Sequence, residues 1–128
     1  MMKEREKGYI AISMVILISA IVIAVATTVA LLAVGEAQSS LALNKGEDAL
    51  SLVEGCTEDA LLKARASASY TGGNITRPEG TCTVSVSKVT STWTLSISTT
   101  ATTYVRKIQT VITQDGYGDT ITSWQEVY

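Results

Sequence analysis

Residues Tyr9–Val34 read YIAISMVILISAIVIAVATTVALLAV, twenty-six consecutive positions without a charge. In a helix they would extend about 39 Å at about 1.5 Å per residue, more than the roughly 30 Å of a bilayer's hydrocarbon core. The stretch is long enough to span. A cleavable secretory signal needs an apolar run of only about 7 to 15 residues before a small-x-small site. Ala24-Val25-Ala26 offers such a site, but it lies inside continuing hydrocarbon, with Val29 to Val34 still to come. The segment therefore reads as a retained helix. Lys3, Arg5 and Lys7 precede it, whereas Glu36 leads the far side and only Lys45 follows soon after. By the positive-inside rule the N-terminus is cytoplasmic and everything after Gly35 is exported.

The rest of the chain has a different character. From Glu36 to Tyr128 it holds seven Lys/Arg against ten Asp/Glu, a mildly acidic module, and the net charge of the 128 residues is −2. One compact domain is the most that such a length accommodates beside the span. No basic patch supports nucleic-acid binding, and Arg106-Lys107, the best local candidate, amounts to two charges on a strand. The net charge argues equally against a polybasic membrane-surface binder. Histidine is absent, which removes the commonest general base and the commonest metal ligand.

Within the apolar run, Ser13, Ser19, Thr27 and Thr28 can return their hydroxyls to backbone carbonyls, so none demands a functional reading. Ala20, Ala24, Ala26, Ala30 and Ala33 keep much of the helix surface close to the backbone, as helices that pack on one another in lipid do. The segment is either an ordinary anchor or one built to exchange lipid for identical helices.

The junction narrows that choice. Lys7-Gly8, then the aromatic Tyr9, then Ile10-Ala11-Ile12 and a long spanning helix, resembles the start of type IV pilins and of the pilin-like pseudopilins of type II secretion. The resemblance covers about 60 residues; the remainder resembles the family only in architecture. It implies that a prepilin peptidase cuts between Gly8 and Tyr9 on the cytoplasmic face, that Tyr9 becomes an N-methylated N-terminus where phenylalanine is more usual, and that the helix beginning Ile10, Ser13, Val15, Leu17 serves assembly. A glycine at the cut adopts whatever backbone shape a protease cleft needs. One departure matters. The family's major subunits carry glutamate at the fifth mature position, where it pairs with a neighbour's N-terminal ammonium, and here that position is Ser13. Serine can accept a hydrogen bond from an ammonium but cannot neutralise it in a low-dielectric setting. Some minor subunits, notably a tip pseudopilin, also lack the glutamate, so the resemblance favours a minor or initiating subunit over a main shaft subunit.

After Gly35 the pattern turns amphipathic. Ala49, Leu50, Val53, Cys56, Ala60, Leu61 and Ala64 recur at steps of three and four, with Glu47, Asp48, Glu54, Glu58, Lys63 and Arg65 elsewhere on the wheel. The spacing predicts a helix from Tyr9 to about Ser67, softened or bent where Gly35, Gly46 and Gly55 each weaken it by about 1 kcal/mol relative to alanine. Tyr70-Thr71-Gly72-Gly73-Asn74 and Arg77-Pro78-Glu79-Gly80 read as turns that end it. Period-two alternation follows. Val84 and Val86 oppose Thr83, Ser85 and Ser87, and Trp93, Leu95 and Ile97 oppose Thr94, Ser96 and Ser98. Tyr104 to Gln114 is mixed, a strand covered on parts of both faces or one carrying a bulge. Asp115-Gly116-Tyr117-Gly118-Asp119 turns into a last strand, Thr120 to Val127. Dense serine and threonine from Thr81 to Thr103 read as the polar face of this sheet, with O-glycosylation of a surface filament as the functional alternative. Asn74-Ile75-Thr76 is formally a glycosylation sequon.

Cys56 and Cys82 both fall on the exported side, where two thiols pair. Without histidine Cys56 has no partner for nucleophilic catalysis, and two cysteines make a poor zinc site. Glu47-Asp48 and Glu58-Asp59 are neighbours that point about 100° apart on a helix, so they read as solvated surface. Asp115 to Asp119 lacks the oxygen-ligand density of a calcium loop and reads as a bare turn. No phosphate loop, nucleophile elbow or metal motif is present, so no cofactor is expected and an enzyme is the least supported class.

The expected fold is α+β: a long N-terminal helix, its N-terminal half transmembrane and its C-terminal half amphipathic, packed on an antiparallel sheet of about four strands. Its expected segments are a cleaved leader at 1–8, a spanning and filament-core helix at 9–35, the amphipathic half at 36–68 and the sheet at 69–128. The expected partners, by the resemblance, are other pilin subunits, prepilin peptidase, the inner-membrane assembly platform with its ATPase, and membrane lipid before assembly. A single-pass, membrane-anchored extracytoplasmic binding module that never enters a filament is the alternative.

Overall fold

In the computed structural model, residues 2–100 and 103–128 are described, and the side chains of Met2, Glu4, Arg5 and Glu6 are not. The orientation charge Arg5 and the pair Ala101-Thr102 of the serine- and threonine-rich stretch thus lie outside the description. Helix α1 runs Met2–Ala66 and stays helical through Gly35, Gly46 and Gly55. Proline is absent from it, and its alanine and leucine content favours the helix. At its end the Ser67 amide donates to the Lys63 carbonyl at 3.0 Å. Lys63 and Arg65 occupy the last turn, where cations suit the negative end of the helix dipole.

The chain divides into two units, Met1–Ala42 and Leu43–Tyr128. The first is apolar helix whose side chains are exposed: Ile12, Val15 and Leu17 are 63–64% accessible, and Leu31 reaches 75%. Among the described residues one helix, Lys7–Ala66, is long and apolar enough to cross a membrane, with a most apolar window of mean hydropathy 2.8. Its length and composition fit a single-pass membrane anchor.

The second unit is a helix-on-sheet head. Five strands follow α1: β1 Gly72–Arg77, β2 Gly80–Val89, β3 Thr92–Thr99, β4 Lys107–Asp115 and β5 Gly118–Glu126. They pair antiparallel with their sequence neighbours, in the spatial order of the chain. The α+β layout and the meander are as expected, but the sheet has one more strand. The extra strand is β1, within a stretch read from sequence as two turns. Only the second of these is a turn: Pro78-Glu79 joins Arg77 to its register partner Gly80. Gly72 and Gly73 are instead paired with Ser85 and Val84. Gly72 has a φ of 96°, and a Cβ there would strike the Val84 carbonyl oxygen, so only glycine lets β1 lie this close to β2.

The mixed pattern at Tyr104 to Gln114 resolves simply. Val105 precedes the strand, and Ile108, Thr110 and Ile112 face the core. The register shift falls between Val111 and Ile112, which pair with Ser123 and Ile121, so the extra residue is Thr122 on β5. Thr90, in the two-residue β2–β3 turn, has a φ of 58°. A side chain in that left-handed region costs about 1 to 2 kcal/mol, yet the primed twist of a tight hairpin demands it.

Leu52, Val53, Cys56, Ala60 and Ala64 of α1 pack against Val84, Trp93, Leu95, Ile97, Ile108 and Ile112. Sequence periodicity found most of this helical face but not Leu52 or Thr57, also buried; the Thr57 hydroxyl donates to the Val53 carbonyl at 2.7 Å. Small residues at 56, 60 and 64 bring the helix near the sheet, and each large core side chain contributes about 1.5 to 3 kcal/mol. Thr83, Ser85 and Ser87 point out on the opposite sheet face.

Candidate functional site

The junction around Gly8 lies within regular helix. A Cβ placed on Gly8 would meet nothing within 4 Å. Packing therefore does not require glycine there, and in a helix it costs about 1 kcal/mol relative to alanine. Gly35 is equally unconstrained, and nothing in the structure explains it. Lys7 and Tyr9 flank Gly8, both exposed, Tyr9 at 75%. Ile10, Val15 and Leu17 form open apolar surface within the next three turns.

Polar groups in this surface are already satisfied. Ser13 Oγ donates to the Ile10 carbonyl at 2.9 Å, Ser19 Oγ to Val15 at 2.7 Å and Thr28 Oγ1 to Ala24 at 2.8 Å, while Thr27 Oγ1 reaches Ile23 and Ala24. Each of these four hydroxyls spends its proton on its own helix, so beyond Tyr9 the exposed face presents hydrocarbon and acceptor lone pairs. Ser13 can thus accept a hydrogen bond from an ammonium and can do no more.

In the head, Cys56 of α1 and Cys82 of β2 form a disulfide, S–S 2.06 Å, and both are fully buried. It ties helix to sheet at the centre of the core. The ion pairs were not legible from sequence. Arg77 Nη1 donates to Asp59 Oδ2 at 2.7 Å, with Glu79 at 3.6 Å from Nε. Its guanidinium lies over Gly55, where a Cβ would come within 3.0 Å of the Arg77 Cζ. Arg106 lies near Gly46 in the same way and donates to Glu126 at 2.6 Å. The Asp59 hydrogen bond and charge raise the Arg77 pKa, and Glu126 does so for Arg106. Two of the three glycines read as soft points, Gly46 and Gly55, are notches that seat arginines. They would have been detectable only by knowing which strand crosses them.

These contacts redirect three residue groups. Arg106 is committed to Glu126, so Arg106-Lys107 is not a free basic pair. Asp59 turns to Arg77 while Glu58 is exposed, so the two carboxylates do not converge. Gly116-Tyr117 forms the two-residue turn between β4 and β5, and Asp119 faces Arg65 at 3.5 Å.

Among the described residues, two clefts of the head stand out. One, of about 550 Å³, lies among Lys45, Asp48, Leu52, Arg77, Glu79 and Tyr104. The other, of about 360 Å³, has Leu61, Leu62, Ile112 and Ile121 as its apolar lining, with Glu58, Arg65 and Asp119 at its rim. Compared with protein-family models, with curated proteins and with solved structures, the chain matches none of them.

Proposed function

We propose that the protein is a structural subunit of a type IV pilus or pseudopilus-like filament, processed between Gly8 and Tyr9. The observation that carries this reading is the Tyr9–Val34 helix: its large apolar side chains exposed, without a charge, its serine and threonine hydroxyls satisfied internally, and entered through a Lys7-Gly8 whose glycine packing does not require. Such a surface is at home in lipid and loses little on passing to a bundle of identical helices, because the apolarity is similar on both sides. Before assembly it is a single-pass inner-membrane protein with a cytoplasmic N-terminus; after prepilin peptidase acts, the assembly platform and its ATPase lift it to the surface. Ser13, which cannot neutralise a neighbour's ammonium, favours a minor or initiating subunit over a main shaft subunit. Its work is structural rather than enzymatic.

Gly8→Arg tests this in cells. The variant keeps its leader, shows no mass decrease and disappears from the sheared surface fraction. Unchanged processing and unchanged surface filaments would overturn the reading. Copy number separates positions: stoichiometry near that of a major subunit would rule out a tip role.

The cleft of about 550 Å³ favours a second reading, a membrane-anchored binding module, because its volume is that of a small-molecule site. In that case Gly8→Arg leaves both mass and surface display untouched.

A further inference from the structure

The meander has two edge strands, β1 and β5, and they are built differently. Strand β1 is short and guarded: Gly72 and Gly73 hold positive φ, Arg77 turns in to Asp59, and Pro78 follows at once. Such an edge resists a further strand. Strand β5 carries neither charge nor proline from Thr120 to Gln125, and its one irregularity is the extra residue at Thr122. Beyond Thr122 the ladder is regular, and the Val127 amide donates to the Lys107 carbonyl at 2.9 Å. Alternation along an antiparallel pair then turns the N–H and C=O of Trp124 and Glu126 away from β4, onto the open edge.

The same strand leaves apolar surface uncovered. It contributes no residue to the buried core among the described residues, and its two apolar side chains, Ile121 and Trp124, stay 52% and 42% exposed. They share a sheet face with core residues, since Ile121 pairs with Ile112 and Trp124 with Thr110. A groove of about 360 Å³ opens between Ile121 and the Leu61 and Leu62 of α1. Its rim is net negative: Glu58 and Asp119 face a single Arg65, which Asp119 already holds at 3.5 Å. Glu54, exposed one turn before Glu58, extends the acidic side. Among the described residues neither glutamate forms an ion pair.

We infer that β5 accepts an extended, basic segment of a different protein as a sixth strand. Each feature specifies part of the occupant. The open edge at Trp124 and Glu126 pairs with extended backbone, and the half-covered face takes apolar side chains at alternate positions, against Ile121, Trp124 and Leu61. The acidic rim takes lysine or arginine, at Glu54 and Glu58. Charge disfavours a second copy, because this chain's own strands are already paired and its β4–β5 hairpin carries Asp115 and Asp119. A partner of different sequence accords with a minor or initiating position, but the inference concerns the head alone and does not depend on the filament reading. One added strand covers less than the roughly 1,000 Å² of a free-standing interface, so the pairing is weak and reversible.

A labelled octapeptide of alternating valine and lysine, titrated with full-length protein in nonionic detergent and followed by fluorescence anisotropy, tests this. Two control peptides each remove one feature: alternating valine and glutamate reverses the charge, and the valine–lysine peptide N-methylated at every residue cannot donate to a strand edge. The valine–lysine peptide is expected to bind at least tenfold more tightly than either control. Ile121→Thr, and Glu54→Gln with Glu58→Gln, should each weaken it several-fold without moving the head's unfolding midpoint, because all three side chains are exposed. No binding of the valine–lysine peptide, or binding of either control equal to it, would overturn the inference; equal binding of the N-methylated form would reduce the effect to charge attraction. Sedimentation of the peptide-free protein should find monomers, and a dimer abolished by Ile121→Thr would assign the face to a second copy instead.

Discussion

Residues 9–34 and residues 46–64 belong to one helix, yet the more apolar stretch is the exposed one. Leu17 and Ile23 stand 63–64% open, while the second stretch buries Val53, Cys56, Ala60 and Ala64 almost completely amid glutamates and lysine. Hydrophobicity sets a demand for cover; it does not say where the cover comes from. The second stretch is amphipathic and finds its cover in its own sheet. The first is apolar all round, which suits lipid or other helices.

Substitution of like residues in the two regions should break the symmetry of their sequence. Leu95→Ala, beneath the second stretch, is expected to destabilise the head by about 2 to 5 kcal/mol through the cavity it leaves. Leu17→Ala should leave head stability unchanged and lower filament yield. Denaturant unfolding of full-length protein in detergent, followed by the fluorescence of Trp93 and Trp124, both in the head, measures the first effect; a Leu17→Ala head as unstable as Leu95→Ala would contradict the division.

The disulfide sharpens the same contrast. Replacing Cys56 and Cys82 together by alanine removes a 26-residue cross-link, worth about 3 to 4 kcal/mol in the chain-entropy account. The head's denaturation midpoint should fall while membrane extraction of the protein is unaltered. A midpoint unmoved by the double substitution would show that helix and sheet need no covalent tie.

A smaller effect separates two glycines of α1. Gly55→Val pushes on the Arg77 guanidinium and its Asp59 pair, for an expected loss of about 1 to 2 kcal/mol. Gly35→Val meets open space and should leave head unfolding where it was. Equal losses at both positions would mean that helix propensity, and not the arginine notch, governs Gly55.

Much of this was legible in the residues. The uncharged run announced a long helix, three-and-four spacing announced its buried half, and alternation around Trp93 and Val84 located β2 and β3. Cysteine count and the expected export predicted the Cys56–Cys82 bond, which the structure contains. Strand β1 was not legible because Ile75 is its only buried residue, too few for a period, and because glycine's ordinary signal is a turn. Gly46 and Gly55 misled for a related reason: what makes them useful is an arginine more than twenty residues away in sequence. The groove beside β5 was invisible because nothing in the sequence says how wide a sheet one helix can cover.

In the proposed filament subunit, a single cut makes the exposed helix available for assembly. The intact mass and N-terminal sequence of the protein in sheared surface filaments test it most directly. The expected chain begins at Tyr9, N-methylated, with the disulfide in place. A surface protein that still begins at Met1, or one that starts within or after the Tyr9–Val34 helix, would contradict it.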